Sequence, residues 1–505
     1  MSAPAAGEPA LALEEKDFSV SEQGRSYGPA DIIGKTADAE LQTEAAEERI
    51  VERAAEARPM LAELAKDPEV RSRVKSAVQG LSTGQREAFF DLIGPLVMGE
   101  AGTKRKLTGY AGTGKTFLAG RICHVLDDFG IDVVCAAPTH KAATQLAITL
   151  GEDLSVEAHT LHSLLGLKLM SDGKGGRTLK QDDDPSLPDE GGVVLVDEAS
   201  MVGKDLWGHV EDVGGKCKWL FQGDMGQLPP VAEGRSEALK IEGPNLERVI
   251  RQSENNPIVE FSMAVRNREG DYRKKARHTE SGNGVFVTRS EERFVEVAEM
   301  FFQKDRFSRE PDYARILAYT NEKVGEYNRK IRARVYGEGA PAYVEGEWLV
   351  ADGTWFSYGI PRVLNSETLQ VRRAKKETDR GSLKGPWKIW ELKVKPADRS
   401  AQTIKVLDPE EEGRYASVRS EVKESALGAG AERMRKAQWN TYYKMERQYA
   451  SVSPAYASTI HKAQGSTFDT VLVDHRDLMS VRKKMRYKLI YVAVTRPQRR
   501  VGILF

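Results

Sequence analysis

The octapeptide Gly109-Tyr-Ala-Gly-Thr-Gly-Lys-Thr116 reads G-x-x-x-x-G-K-T and constrains the fold more than any other stretch of the chain. Strand-like Arg105-Lys-Leu107 leads into it. A helix-like run follows, with Leu118, Ile122, Val125, Leu126 and Phe129 on one face. Strand, glycine loop and helix are the context of a phosphate-binding loop, in which backbone N–H groups turn inward and the helix N-terminus adds its positive end. Gly109, Ala111, Gly112, Thr113 and Gly114 would form the cradle. Lys115 would reach the β- and γ-phosphates, and the Thr116 hydroxyl would hold Mg²⁺. The cofactors expected are therefore ATP, or another nucleoside triphosphate, and Mg²⁺.

Around this loop the apolar runs are continuous, as parallel strands covered on both faces require. Strands are expected at Lys106–Tyr110, Asp132–Ala137, Val193–Asp197 and Lys218–Gly223, and in a second series at Ala314–Thr320, Thr470–Asp474, Lys488–Thr495 and Arg500–Phe505. At 505 residues the chain exceeds what one core usually holds, about 250–300 residues. The fold class expected is α/β, with two parallel-sheet cores. Residues 167–190 carry a hairpin signal around Ser171-Asp-Gly-Lys-Gly-Gly176, and residues 345–405 alternate as a small antiparallel insert. A helical stretch over Glu421–Ala450, with Trp439, Tyr442 and Tyr443, comes next. Residues 1–80 read as a leader, disordered to about residue 40 and then helical.

Two further segments bear chemistry. Val193-Val-Leu-Val-Asp-Glu198 is an apolar strand ending in two carboxylates, the place for a second metal-binding acid, Asp197, and a residue that orients or deprotonates water, Glu198. Phe221-Gln-Gly-Asp-Met-Gly-Gln-Leu-Pro-Pro230 ends another strand and offers Gln227 as a reporter of the γ-phosphate. Lys plus Arg and Asp plus Glu both number 75, so any polyanion site must be a local patch. One patch is visible: no acid follows Asp477, while Arg482, Lys483, Lys484, Arg486, Lys488, Arg496, Arg499 and Arg500 do. The three cysteines form no C-x-x-C pair, which fits a reduced compartment. No apolar run reaches membrane-span length.

Taken in order, these segments resemble the superfamily 1B helicases of the RecD/Dda type. Leu81-Ser-Thr-Gly-Gln-Arg-Glu-Ala88 resembles their Q motif, which implies Gln85 as reader of adenine. Ala137-Pro-Thr-His-Lys-Ala-Ala143 resembles motif Ia and Ala158-His-Thr-Leu-His-Ser163 motif Ib. Leu246-Glu-Arg-Val-Ile-Arg-Gln252 resembles the segment whose arginine, here Arg251, faces the γ-phosphate. Tyr456-Ala-Ser-Thr-Ile-His-Lys-Ala-Gln-Gly-Ser-Thr467 resembles motif V. Tyr491-Val-Ala-Val-Thr-Arg496 resembles motif VI, with Arg496 as a second arginine; Pro497 after it departs from the family pattern. The resemblance implies Gln464 and Gly465 at the nucleotide. It implies a DNA strand held by Pro138, Thr139, His140, Thr160 and His162 in one core and by Asn321, His461 and Lys462 in the other.

It further implies two RecA-like domains in tandem: 81–166 with 191–231, and 232–345 with 451–505. A pin insert at 167–190, whose Leu169 or Met170 would wedge the duplex, and an SH3-like and helical insert at 346–450 complete the expectation. The function implied is an ATP-dependent DNA helicase moving 5′→3′. An ATP-driven remodelling module and a RecD-like subunit without autonomous unwinding are the alternatives, and an RNA substrate stays open. Implied partners are single-stranded and forked duplex DNA and a single-strand-binding protein, with no membrane, for a monomer in the cytoplasm of a bacterium or phage-infected cell.

Overall fold

The computed structural model describes residue 63 and residues 66–505, apart from 152–156, 172–176, 182–183, 231–232, 249–255, 270–271, 280–281, 304, 358–359 and 398. The disordered leader expected up to residue 40 lies outside the described residues. The described residues divide into two compact units, one comprising 63–248 with 422–442 and the other 256–421 with 443–505.

The unit carrying the glycine loop begins with helices α1 (Pro68–Val78) and α2 (Thr83–Met98). Strand β1 (Lys104–Gly109), helix α3 (Lys115–Asp128), β2 (Val133–Ala137) and α4 (His140–Leu150) follow. Next come β3 (Ala158–Thr160), the antiparallel hairpin β4 (Leu167–Ser171) and β5 (Arg177–Gln181), and β6 (Val193–Val196). Helix α5 (Lys204–Val213), β7 (Lys218–Gly223) and β8 (Asn245–Leu246) complete the series. Six strands form a parallel sheet in the order β3-β2-β6-β7-β1-β8. β6 and β7 are buried at every position, which is why they read as unbroken apolar runs. The one cation in β7, Lys218, donates to the Leu96 and Val97 carbonyls at 2.9 and 3.0 Å near the end of α2. Those orphan helix carbonyls make its burial tolerable.

Two domain boundaries need correction. β8 pairs in parallel with β1, so this unit runs past the expected break at residue 231 and includes Leu246. A two-residue strand leaves no periodicity to read. At the other end, Val74, Ala77 and Val78 of α1 join the same hydrophobic core as α2 and α3, so the core starts before residue 81.

The second unit begins with α6 (Pro257–Arg266), β9 (Gly284–Thr288), α7 (Glu291–Phe302), β10 (Ala314–Ala318) and α8 (Asn321–Tyr336). The insert supplies β11 (Trp348–Ala351), β12 (Trp355–Ser357), β13 (Ile360–Val363), β14 (Thr368–Asp379), β15 (Trp387–Pro396) and β16 (Gln402–Leu407). Two helices follow it, α9 (Glu412–Gly428) and α10 (Glu432–Glu446), of which residues 422–442 count with the first unit rather than wholly with the insert. Then come β17 (Val452–Pro454), β18 (Ala457–Thr459), β19 (Phe468–Asp474), α11 (Lys483–Val494) and β20 (Pro497–Leu504).

The second parallel sheet has the order β18-β10-β19-β20-β9, and the insert is an antiparallel sheet, β16-β15-β14-β11-β17. Residues Lys488–Thr495, expected as a strand, are helical in α11. Its residues Leu489 to Val494 are all buried, and an element buried all round shows no amphipathic period. Trp439, on α10, is 4% exposed and packs edge-on against Tyr442. Among the described residues no helix is long and apolar enough to cross a membrane.

Candidate active site

Residues at the C-terminal ends of β1, β6 and β7 form the candidate active site. The loop after β1 turns through Gly112 and Gly114 at φ of 81° and 78°. Gly114 is the N-cap of α3 and gives no side-chain cap, so the first N–H groups of α3 face the loop. A Cβ at Gly109 would lie 2.7 Å from Thr113 Oγ1 and 2.8 Å from the Leu246 carbonyl oxygen, so that position requires glycine. Lys115 Nζ donates to the Gly109 and Tyr110 carbonyls at 3.0 and 2.9 Å, which stations the ammonium over the loop.

Gln85 serves the loop from α2. Its Oε1 accepts from Ser82 N at 3.1 Å, closing a capping box, and its Nε2 donates to the Thr113 and Gly114 carbonyls at 3.3 and 3.4 Å. Both ends of the amide that the resemblance assigns to adenine thus hold the glycine loop and the helix entry in register.

Spacing in the sequence does not single out Gln222, the last residue but one of β7. Its Nε2 donates to Thr116 Oγ1 at 3.0 Å and to Asp197 Oδ1 at 2.9 Å. One buried amide therefore ties the loop hydroxyl to the carboxylate at the end of β6. Asp197 Oδ1 also accepts from Glu198 N at 2.7 Å. Glu198 adopts φ of 49°, a left-handed conformation uncommon for a non-glycine residue. Thr116 and Asp197, hard oxygen donors within reach of one amide nitrogen, suit Mg²⁺ in chemistry and in placement. Gln227 is 6% exposed in the turn after β7, where Asp224 Oδ1 accepts from Gly226 N at 2.7 Å.

At the far edge of the same sheet, Ala137 at the end of β2 is the register partner of Thr160 at the end of β3. Pro138, Thr139 and His140 therefore lie beside Thr160 and His162. Thr139 Oγ1 accepts from Ala142 N at 3.3 Å and Thr160 Oγ1 from Ser163 N at 3.1 Å, each as a helix N-cap. Each hydroxyl keeps its own proton to donate. Burial, then the nearby His209, lowers the His162 pKa and favours a neutral imidazole.

In the second unit, Ala318 of β10 is the register partner of Thr459 of β18, bringing the segments before Asn321 and His461 side by side. The Tyr319 and His461 rings lie 5.9 Å apart, and burial lowers the His461 pKa. Lys462 is paired with Asp352 at 2.8 Å. Gln464 is 5% exposed and Gly465 has φ of 74°. Arg496 folds back on α11, its Nε donating to Val492 O at 3.1 Å and its Nη2 to Thr495 Oγ1 at 3.2 Å. Pro497 opens β20 opposite Phe468, a strand-start position that proline tolerates. Arg251 and the pin-loop tip lie outside the described residues, as do the side chains of Leu169 and Met170.

Two family profiles match the chain, an AAA domain over residues 80–287 and a UvrD-like helicase C-terminal domain over residues 454–504. The ATP-dependent DNA helicase dda of Enterobacteria phage T4 is 26% identical over 447 residues, covering 82% of this chain and 97% of the relative. These matches agree with the resemblance to the superfamily 1B helicases of the RecD/Dda type. Another similar helicase is the ATP-dependent RecD2 DNA helicase of Deinococcus radiodurans, 30% identical over 219 residues, 42% of this chain and 28% of that one. Among solved structures, one of two coordinating Pif1 helicases at forked duplex DNA superposes with a TM-score of 0.48 at 16% identity, over 84% of this chain and 92% of that chain.

Proposed function

We propose that this helicase uses ATP to step 5′→3′ along single-stranded DNA and so to separate duplex strands. The observation that carries the reading is the sharing of one six-stranded sheet by the two kinds of residue. The phosphate loop and Asp197 end β1 and β6, and the threonines suited to a DNA backbone end β2 and β3, so a shift of the sheet's loops on hydrolysis is felt by both.

In this reading Lys115 leaves its carbonyl partners for the β- and γ-phosphates, and the α3 N-terminus cradles them. Thr116 and Asp197 would hold Mg²⁺, which supplies charge neutralisation on the phosphate oxygens. Glu198 orients water and accepts its proton, and Gln227 senses the γ-phosphate. Arg251 and Arg496 supply positive charge during hydrolysis. Gln464 and Gly465 contribute to nucleotide binding. Thr139, His140, Thr160, His162, Asn321, His461 and Lys462, with Pro138 shaping the turn, grip phosphates and bases without reading sequence.

Matched DNA duplexes bearing a 5′ or a 3′ single-stranded tail test the proposal. ATP-dependent opening from the 5′ tail alone is expected. Opening from the 3′ tail alone would keep the motor and overturn the polarity. DNA-stimulated ATP turnover with neither duplex opened would favour a remodelling module or a subunit awaiting its partner.

A further inference from the structure

The second unit holds a cavity of about 370 Å³ with no place in the function described above. This volume lies within the range of about 300–1,000 Å³ usual for small-ligand sites. It opens beyond the C-terminal ends of two adjacent strands, since His475 follows β19 and Phe505 follows β20. Crevices outside the carboxyl ends of parallel strands are where such sheets take ligands.

The lining is cationic and aromatic. Arg273, Arg476, Lys483 and Arg486 contribute to it, and none of its ten residues is acidic. Arg476 is matched by Glu291 at 2.7 Å. Among the described residues the Arg486 head bonds only neutral groups: its Nη1 donates to Met479 Sδ at 3.3 Å, its Nη2 donates to the Met479 and Val481 carbonyls at 2.9 and 3.1 Å, and its Nε is buried without a hydrogen bond. Lys483, exposed, begins α11, whose N-terminus has no side-chain cap and no acid in its first turn. Cation and uncapped N–H groups thus converge on one mouth of the cavity. The floor is a cluster of rings packed edge-on or tilted against one another. Tyr272 lies 5.9 Å from Tyr487 and 6.3 Å from Phe505, and His475 lies 4.7 Å from Phe505. Burial, helped by Arg486 and Arg273, holds the His475 pKa down at about 4, so the positive field comes from the arginines and lysine.

A site offering fixed cations beside aromatic rings suits a phosphate attached to a base. We propose that the cavity takes a nucleotide unit of the single-stranded DNA, with its phosphate at Lys483 and Arg486 and its base against the aromatic floor. This rests on the helicase reading. The same chemistry would suit a free nucleotide, but the position favours the strand. Asp477, two residues from His475, accepts from Tyr319 N and Thr320 N at 2.7 and 2.8 Å, immediately before Asn321. β10 and β20 are separated only by β19, so their ends lie about 10 Å apart, the reach of one or two nucleotides. The cavity thereby extends the row of Asn321 and His461 along one sheet edge. It also gives a use to part of the basic run after Asp477.

The test is fluorescence anisotropy of a labelled oligothymidylate with the full chain, across a salt series, for the wild type, Lys483→Glu and Tyr487→Ala. Lys483→Glu is expected to weaken binding about tenfold and to flatten the slope of log K against log salt by about one. Tyr487→Ala should weaken binding without changing that slope, as a stacking loss does. Unfolding temperatures measured alongside show that both variants are folded. Wild-type affinity and slope in both variants, with unwinding intact, would overturn the cavity assignment alone. A wild-type chain that binds no oligonucleotide would overturn the helicase reading together with this one. Calorimetric titration with thymidine monophosphate is the second arm. Mononucleotide binding that Lys483→Glu abolishes, with oligothymidylate binding unchanged, would assign the cavity to a free nucleotide and sink the strand proposal.

Discussion

Gln222 shows how much of this site is held by a residue that meets neither substrate in any obvious way. It is 1% exposed, and both donors of its amide are spent on Thr116 and Asp197, while its Oε1 is buried without a hydrogen-bond partner. A buried amide left half satisfied costs free energy, so the placement needs a return, and the return is a fixed spacing of the Thr116 hydroxyl and the Asp197 carboxylate, the two ligands proposed for Mg²⁺. Gln222→Leu keeps the volume and removes the donor. We expect it to raise the Mg²⁺ concentration needed for half-maximal hydrolysis about tenfold, and to weaken Mn²⁺ binding in a direct titration to a similar degree. Equal metal affinity in the two proteins would reduce Gln222 to core filling. The neighbouring Glu198 carries its own cost, of the order of 1–3 kcal/mol for its left-handed backbone, which only a site that needs the carboxylate turned there would retain. In the sequence, Gln222 is hidden by its position within a strand, and Gln227 draws attention because it follows Gly-Asp. Nothing in spacing alone says which glutamine touches Asp197.

Among the elements, α8 and the insert are joined by a buried ion pair. Arg332 on α8 meets Glu347, just before β11, through two hydrogen bonds of 2.8 and 3.1 Å, and Glu347 is 1% exposed. Burial raises the Glu347 pKa against the pull of Arg332, so the carboxylate depends on its partner to stay charged. Arg332→Ala should destabilise this unit by about 3–5 kcal/mol, less whatever Glu347 recovers by taking up a proton. Replacing both residues by Met and Leu should restore most of the loss, because an apolar pair of similar volume avoids the desolvation cost. Urea unfolding followed by tryptophan fluorescence would report both, and an unchanged midpoint for Arg332→Ala would show that the pair does not brace the insert. The alternation of β14 and β15 was legible because one face of that sheet is buried, with Val371, Leu392 and Val394 inside. The C-terminal half of α11, Leu489 to Val494, shows the converse, since burial on all sides there erases the helical period.

Taken as a whole, the chain balances 75 basic against 75 acidic residues, so grip on a polyanion has to come from where side chains are gathered. The residues proposed for nucleotide and for DNA in the first sheet stand on different strands, and the two bindings should therefore separate by mutation. Lys115→Ala is expected to abolish ATP hydrolysis while single-strand affinity stays within about threefold of wild type, since losing one charge away from the strand contacts leaves its phosphate contacts intact. Turnover surviving in that variant would remove Lys115 from the catalytic role; loss of both activities would show the two sites to be one. The phosphate loop, the acidic strand end and the order of the motifs were determined by the sequence itself, because local chemistry there is written in contiguous residues. So was the presence of two α/β cores, through apolar runs that only parallel strands and their covering helices explain. Tertiary structure decided what contiguity cannot encode. The short β8 joins the first sheet only by pairing with β1, Gln222 finds Thr116 and Asp197 across three strand ends, and His475, Lys483 and Phe505 meet around one cavity. Each of these depends on register between segments far apart in the chain, and register is fixed by packing rather than by any single stretch of residues.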